Sequence, residues 1–220
     1  MRKRYLVGFV LLLAVAALLP SIREAFRRRP DMIPWQRVQE FATRGDARKA
    51  VVVIGDSLVE SAAFAPTLCG LPVINVGLAG ARANYALRMV NEMSRIHFSP
   101  SVLVISVGIN DAIVADKRPF AATYPDVARQ ARALANKVFV VTLAPIAEKG
   151  KIADLVDRSR LPEIDQTIRQ TAQDYSVPII DVSTLDAHGR PWTEDGVHFN
   201  RDGYVRWIGA IESAVGRECP

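Results

Sequence analysis

The chain has 220 residues, half of them hydrophobic and 23% charged, with 13 Gly and 13 Pro. That is room for one ordinary domain and a short appendage, and it excludes a disordered, collagen-like or coiled-coil chain. The net charge of +5 comes from one end: the first 49 residues hold 11 of the 28 basic and 4 of the 23 acidic residues, leaving 17 basic and 19 acidic in the remainder. The body is therefore slightly acidic, and its charge gives no footprint for nucleic acid.

Arg2-Lys3-Arg4 opens the chain, and an uncharged apolar run follows from Tyr5 to Leu19. Fifteen helical residues reach about 22 Å; extension to Ile22 gives about 27 Å, which spans a bilayer if the flanking arginines snorkel. A run apolar on every face behind a basic triplet is a targeting segment rather than a core helix. It reads as an uncleaved signal-anchor over residues 1–29, with a cleaved signal and a secreted body as the alternative. The expected arrangement is membrane attachment through this helix, with the body in the cell envelope. Residues 30–49 read as a tether with one short amphipathic stretch, Trp35 to Phe41. The folded domain is expected over 50–220.

From Lys49 onward, apolar runs alternate with helix-like stretches. The runs are Ala50–Ile54, Val73–Val76, Val102–Val107, Val138–Leu143 and Val177–Val182. All are rich in Val and Ile, as parallel strands buried on both faces should be. Helices are expected over Leu58–Leu68, Asn84–His97, Pro125–Asn136, Pro162–Tyr175 and Val205–Val215. This alternation predicts an α/β fold: a five-stranded parallel sheet between two layers of helices. Working residues in such folds follow the C-terminal ends of strands. Those positions hold Gly55-Asp56-Ser57-Leu58, Asn75-Val76-Gly77-Leu78-Ala79-Gly80, Gly108-Ile109-Asn110-Asp111 and, after the last strand, Asp195-Gly196-Val197-His198.

These four segments, in this order, resemble the SGNH hydrolases, also called GDSL esterases and lipases. The resemblance covers about residues 50 to 215. It implies the three-layer α/β/α, flavodoxin-like fold of that family. It also implies a catalytic triad of Ser57, Asp195 and His198, with an oxyanion hole formed by Ser57, Gly80 and Asn110. Gly77 competes with Gly80, and the family spacing from Asn75 favours Gly80. No Gly-x-Ser-x-Gly elbow surrounds Ser57, so the α/β-hydrolase arrangement is disfavoured.

The chemistry suits these residue types. A serine hydroxyl is a weak nucleophile until a base takes its proton. Imidazole titrates near neutrality and can act as base and then as acid. A carboxylate three residues before it can hold the ring in one tautomer. His97 and His188 are alternatives to His198, but neither has a carboxylate at that spacing; Glu194 is the alternative to Asp195. Asp56 and Asp111 are expected to orient loops. No cofactor or metal is expected. The short spacings leave little room for a lid, so an open site is expected, suited to short acyl groups such as acetyl on a carbohydrate or glycan. A lysophospholipase or thioesterase activity, or acyl transfer by the same triad, remains open. Leu58, Val59, Leu78, Ile109, Ile113, Trp192 and Phe199 could line an acyl groove or simply pack. Trp192 could stack a sugar ring or anchor its loop. Cys69 and Cys219 could pair in an oxidising compartment, although two separate thiols are the preferred reading.

Overall fold

The structure, a computed structural model, describes residues 32–43, 49–113, 119–185 and 192–219. The segment expected as a signal-anchor lies outside these residues, as does His188. Among the described residues no helix is long and apolar enough to cross a membrane.

The strands are β1 (Val51–Gly55), β2 (Thr67–Leu68), β3 (Leu71–Gly77), β4 (Val102–Ser106), β5 (Lys137–Val141) and β6 (Ile179–Ile180). They lie in the order β2-β3-β1-β4-β5-β6. All neighbours are parallel except the β2–β3 pair. The five parallel strands are those expected from the Val/Ile runs, and their order is the flavodoxin-like one. The two-residue antiparallel β2 is an addition at the edge. Gly55 pairs in register with Gly77 on one side and Ser106 on the other. The β1, β3 and β4 ends are therefore level, and three of the motif loops leave the sheet side by side.

The helices are α1 (Met32–Thr43), α2 (Ser57–Glu60), α3 (Ala83–Arg95), α4 (Ile109–Ile113), α5 (Phe120–Leu134), α6 (Leu161–Asp174) and α7 (Arg201–Gly216). Alternation along β1 divides the core. Val52 and Ile54 face a cluster built with α3, α5 and α6, whereas Val51 and Val53 face one built with α2 and α7. This period-2 division makes a strand that is wholly buried look uniformly apolar in sequence. Within the expected tether, α1 buries Trp35 and Val38 in the first cluster.

Several expected elements are corrected. The helix predicted over Leu58–Leu68 stops after one turn. The Asn75 amide donates to the Val59 and Ala62 carbonyls at 2.6 and 3.3 Å, taking acceptors that a continuing helix would use. Pro66 then disfavours helical geometry at Ala65. The helix predicted from Pro125 begins five residues earlier, at Phe120. Pro125 sits in its second turn, and stacking of Phe120 on Tyr124 (centroids 4.7 Å apart) offsets the lost backbone bond. The last strand shortens from Val177–Val182 to Ile179–Ile180, because Pro178 has no N–H for the ladder. The cysteines expected as separate thiols instead form the Cys69–Cys219 disulfide, with Cα atoms 5.5 Å apart. Distance along the chain concealed the fact that α7 returns to the β2 edge.

Candidate active site

Ser57 is the first residue of α2, directly above β1. Asp56 caps this turn, its carboxylate accepting from the Leu58 N–H at 2.9 Å. The Ser57 N–H has no acceptor within a helix at this position. The strand-to-helix turn thus presents the hydroxyl and an unused N–H at the sheet rim.

His198 reaches the serine from 141 residues further along the chain. Its segment is a small hairpin: Thr193 and Phe199 form an antiparallel bridge, and the Asn200 N–H donates to the Trp192 carbonyl at 2.9 Å. Asn200 also caps α7 by accepting from the Gly203 N–H at 3.0 Å. Trp192 stacks on buried Phe199 with centroids 5.0 Å apart, and Phe199 packs against Trp207. Trp192 therefore anchors this loop, the second of its two expected roles. Leu58, Val59 and Phe199 are likewise buried packing residues.

The side chains meet. Ser57 Oγ lies 2.8 Å from His198 Nε2, and His198 Nδ1 lies 2.7 Å from Asp195 Oδ2. The other Asp195 oxygen accepts from the backbone N–H groups of Val197 and His198 at 3.1 and 2.8 Å. Burial works to raise the Asp195 carboxyl. The hydrogen bonds from the His198 ring and from the two N–H groups outweigh it and hold the carboxyl below its ordinary value. Asp195 is thus kept as an anion aimed at Nδ1, which leaves Nε2 to accept from the serine hydroxyl. The exposed Glu194 uses its N–H on the His198 carbonyl and does not replace Asp195. His97 is exposed at the end of α3, away from this rim.

The two other predicted donors stand together. The Ala81 N–H donates to the Leu78 carbonyl at 2.9 Å, closing a turn with Gly80 at φ +74°. Only glycine adopts this φ freely, as the third position of a type II turn requires. Among the described residues the Gly80 N–H makes no backbone hydrogen bond. A Cβ at Gly80 would meet nothing within 4 Å, so backbone conformation, not crowding by the protein, explains the glycine. A Cβ at Gly77 would lie 2.1 Å from the Glu60 nitrogen, so Gly77 is a packing contact between β3 and α2. Asn110, on α4, donates to the Ala81 carbonyl at 3.1 Å and so stands beside the Gly80 turn, with its second amide hydrogen unspent among the described residues. Asp111 accepts from the Ala83 N–H at the start of α3. Asp56 and Asp111 therefore hold loops. Asp56 is 3% exposed, and burial pushes its carboxyl up to about 7.

One supporting segment was not visible in the sequence. After β5 the chain runs over the Asp195 loop: the Ala147 N–H donates to the Gly196 carbonyl at 2.9 Å and the Ile152 N–H to the Asp195 carbonyl at 3.1 Å. Arg158 donates to the Ala147 and Glu148 carbonyls at 2.5 and 2.9 Å. The Asp157 N–H donates to the Ala112 carbonyl of α4 at 3.0 Å. This strap ties the loop carrying His198 to the helix carrying Asn110. Gly150 lies where the strap presses on Asp195, and a Cβ there would sit 2.2 Å from the Asp195 carbonyl oxygen. A glycine in an otherwise unremarkable loop was its one sequence signal. Among the described residues no three His, Cys, Asp or Glu side chains group as metal ligands.

A profile of the GDSL-like lipase/acylhydrolase family matches residues 53–206. Three solved structures share the fold. An acetyl xylan esterase is 22% identical, with TM-score 0.59, over 75% of this chain and 99% of that one. A lipase/acylhydrolase from Enterococcus faecalis is 21% identical, with TM-score 0.61, over 77% and 96%. A catalytic mutant of an acetylxylan esterase from Geobacillus stearothermophilus is 17% identical, with TM-score 0.60, over 76% and 94%. No curated protein sequence matches the chain.

Proposed function

The chain belongs to the GDSL-like lipase/acylhydrolase family, whose members are carboxylic ester hydrolases of the SGNH type, and from that premise we propose that it removes short acyl groups, such as acetyl, from an envelope carbohydrate. The observation that carries the mechanism is the unbroken relay from Ser57 Oγ through the His198 ring to Asp195, with links of 2.8 and 2.7 Å.

In the first half-reaction Ser57 Oγ bonds to the ester carbonyl carbon and its proton passes to His198 Nε2. The N–H groups of Ser57 and Gly80 and the Asn110 amide hold the negative oxygen. The intermediate collapses, the carbon–oxygen bond to the alcohol breaks, and His198 returns the proton to the departing oxygen. Water then repeats the sequence on the acyl-serine, giving the acid and free Ser57. Asp195 stays ionised throughout and stabilises the imidazolium.

A short acyl group is supported by the solved proteins with this fold, two of which are named as acetyl xylan esterases. The Cys69–Cys219 disulfide supports an oxidising compartment outside the cytoplasm. The basic–apolar segment at 1–29 supports attachment to the membrane by an N-terminal anchor, with the catalytic domain in the envelope.

The test is a chain-length series of p-nitrophenyl esters together with acetylated xylo-oligosaccharides, run on wild type and Ser57→Ala. We expect highest kcat/KM for acetyl, release of acetate from the sugar, and loss of both with Ser57→Ala. A fluorophosphonate should label wild type alone. Preference for chains of eight or more carbons would overturn the substrate reading; full activity in Ser57→Ala would overturn the mechanism.

A further inference from the structure

A groove of about 360 Å³ opens on the same rim, between the strap after β5, the start of α6 and the loop after β6. Nothing in the catalytic relay uses it. Ser57 follows β1, and the groove lies beyond the ends of β5 and β6, two to three strand spacings away, or roughly 10–14 Å. That is outside the reach of the ring bearing the ester, but within reach of a further ring of the same chain. Its walls are aliphatic, from Leu143, Pro145, Ile146, Leu161 and Pro162.

Charged and polar groups interrupt those walls. Arg158 stands in the groove, with one of its terminal nitrogens on the Ala147 and Glu148 carbonyls. Asp165 accepts from Arg169 Nε through Oδ2 at 2.7 Å, while its Oδ1 is buried with no hydrogen-bond donor among the described residues. A buried acceptor left unpaired is costly and rare. The broad terminal torsion of an Asp lets a modest rotation turn that oxygen toward the groove. An aliphatic chain would desolvate Arg158 and Asp165 without giving either a partner. A sugar ring suits both features: its C–H face covers Leu and Pro side chains, and its hydroxyls donate to Asp165 and accept from Arg158.

Resting on the esterase reading above, we propose that the groove lined by Arg158, Asp165 and Pro162 is a distal glycan subsite, holding an unesterified sugar residue of the substrate chain while the esterified residue sits at Ser57. The enzyme then selects oligosaccharide esters over single sugars.

The experiment compares kcat/KM for acetylated xylotetraose and acetylated xylose in wild type, Pro162→Trp and Ser183→Trp, the two variants filling the groove from opposite walls. We expect wild type to favour the tetraose by at least about tenfold, and either variant to bring that ratio near one. Equal rates on the two sugars in wild type would overturn the subsite, as would a ratio that both folded variants leave intact. Loss of p-nitrophenyl decanoate hydrolysis in the variants, with the sugar ratio unaltered, would overturn it in favour of an acyl chain. Failure of the esterase reading itself is separate: it would show as p-nitrophenyl acetate turnover that survives Ser57→Ala.

Discussion

Gly150→Ala tests whether the strap sets the position of His198, the proposed catalytic base. The added Cβ would lie 2.2 Å from the Asp195 carbonyl oxygen, 2.5 Å from its carbon and 2.8 Å from the Gly196 nitrogen. All three are backbone atoms, so no side chain can rotate away. Ordinary contact begins near 3.4 Å, so strap and loop must separate by about 1 Å, and misplacement on that scale costs on the order of 10²-fold in rate. That corresponds to about 2.7 kcal/mol of activation free energy. The assay is kcat and KM on p-nitrophenyl acetate, with a thermal melt to show that the variant is folded. The loss should fall on kcat, because the overlap is with the backbone of Asp195 and Gly196, in the loop that carries the proposed base. Arg158→Ala is the milder form of the same perturbation: it removes two hydrogen bonds from the strap without an overlap, and about a tenfold loss in kcat is expected. If folded Gly150→Ala retains kcat within a factor of three, the strap does not position His198 and the reasoning fails.

Asn110→Ala removes one proposed oxyanion donor and should lower kcat by about 10²–10³-fold with little change in KM; a change confined to KM would move Asn110 to substrate binding. Reduction of Cys69–Cys219 frees a closure spanning 150 residues and should cost about 2–5 kcal/mol in denaturant unfolding; an unchanged midpoint under dithiothreitol would show that α7 docks without it. Asp56 has its carboxyl raised by burial to about 7. The folded state therefore holds a proton that the unfolded chain releases above about pH 4, and stability falls as pH rises toward 7. Asp56→Asn keeps the acceptor for Leu58 and removes this dependence, so its stability relative to wild type should rise by roughly 2–3 kcal/mol between pH 5 and pH 8. A pH-independent difference would show that Asp56 is charged in the fold.

Much of the architecture was legible because burial on both faces leaves strands no polar positions. Val51–Ile54 and Val102–Ile105 could therefore be read directly as central strands. Local pattern failed after Ser57, where the length and spaced apolar residues of Leu58–Leu68 suggested a long helix. The turn is ended by Asn75, which lies 16 residues from Val59, and no local pattern reports a contact at that range. Pro125 misled for a related reason: local chemistry placed it at a helix start, and packing of Phe120 on Tyr124 outvoted it.

The sequence by itself determined where the strands fall along the chain and the residue types at each strand end, because hydrophobic periodicity and turn chemistry are local. The resemblance carried by the four motif segments, rather than periodicity, implied roles for Ser57, Gly80, Asn110, Asp195 and His198. Only the tertiary structure decided that a serine and a histidine 141 positions apart stand 2.8 Å from each other, that two cysteines 150 apart are joined, and that Gly150 presses on the loop bearing the base. Those facts depend on how separate elements dock, and docking is set by the shapes of two cores on opposite faces of one sheet rather than by any stretch of neighbouring residues.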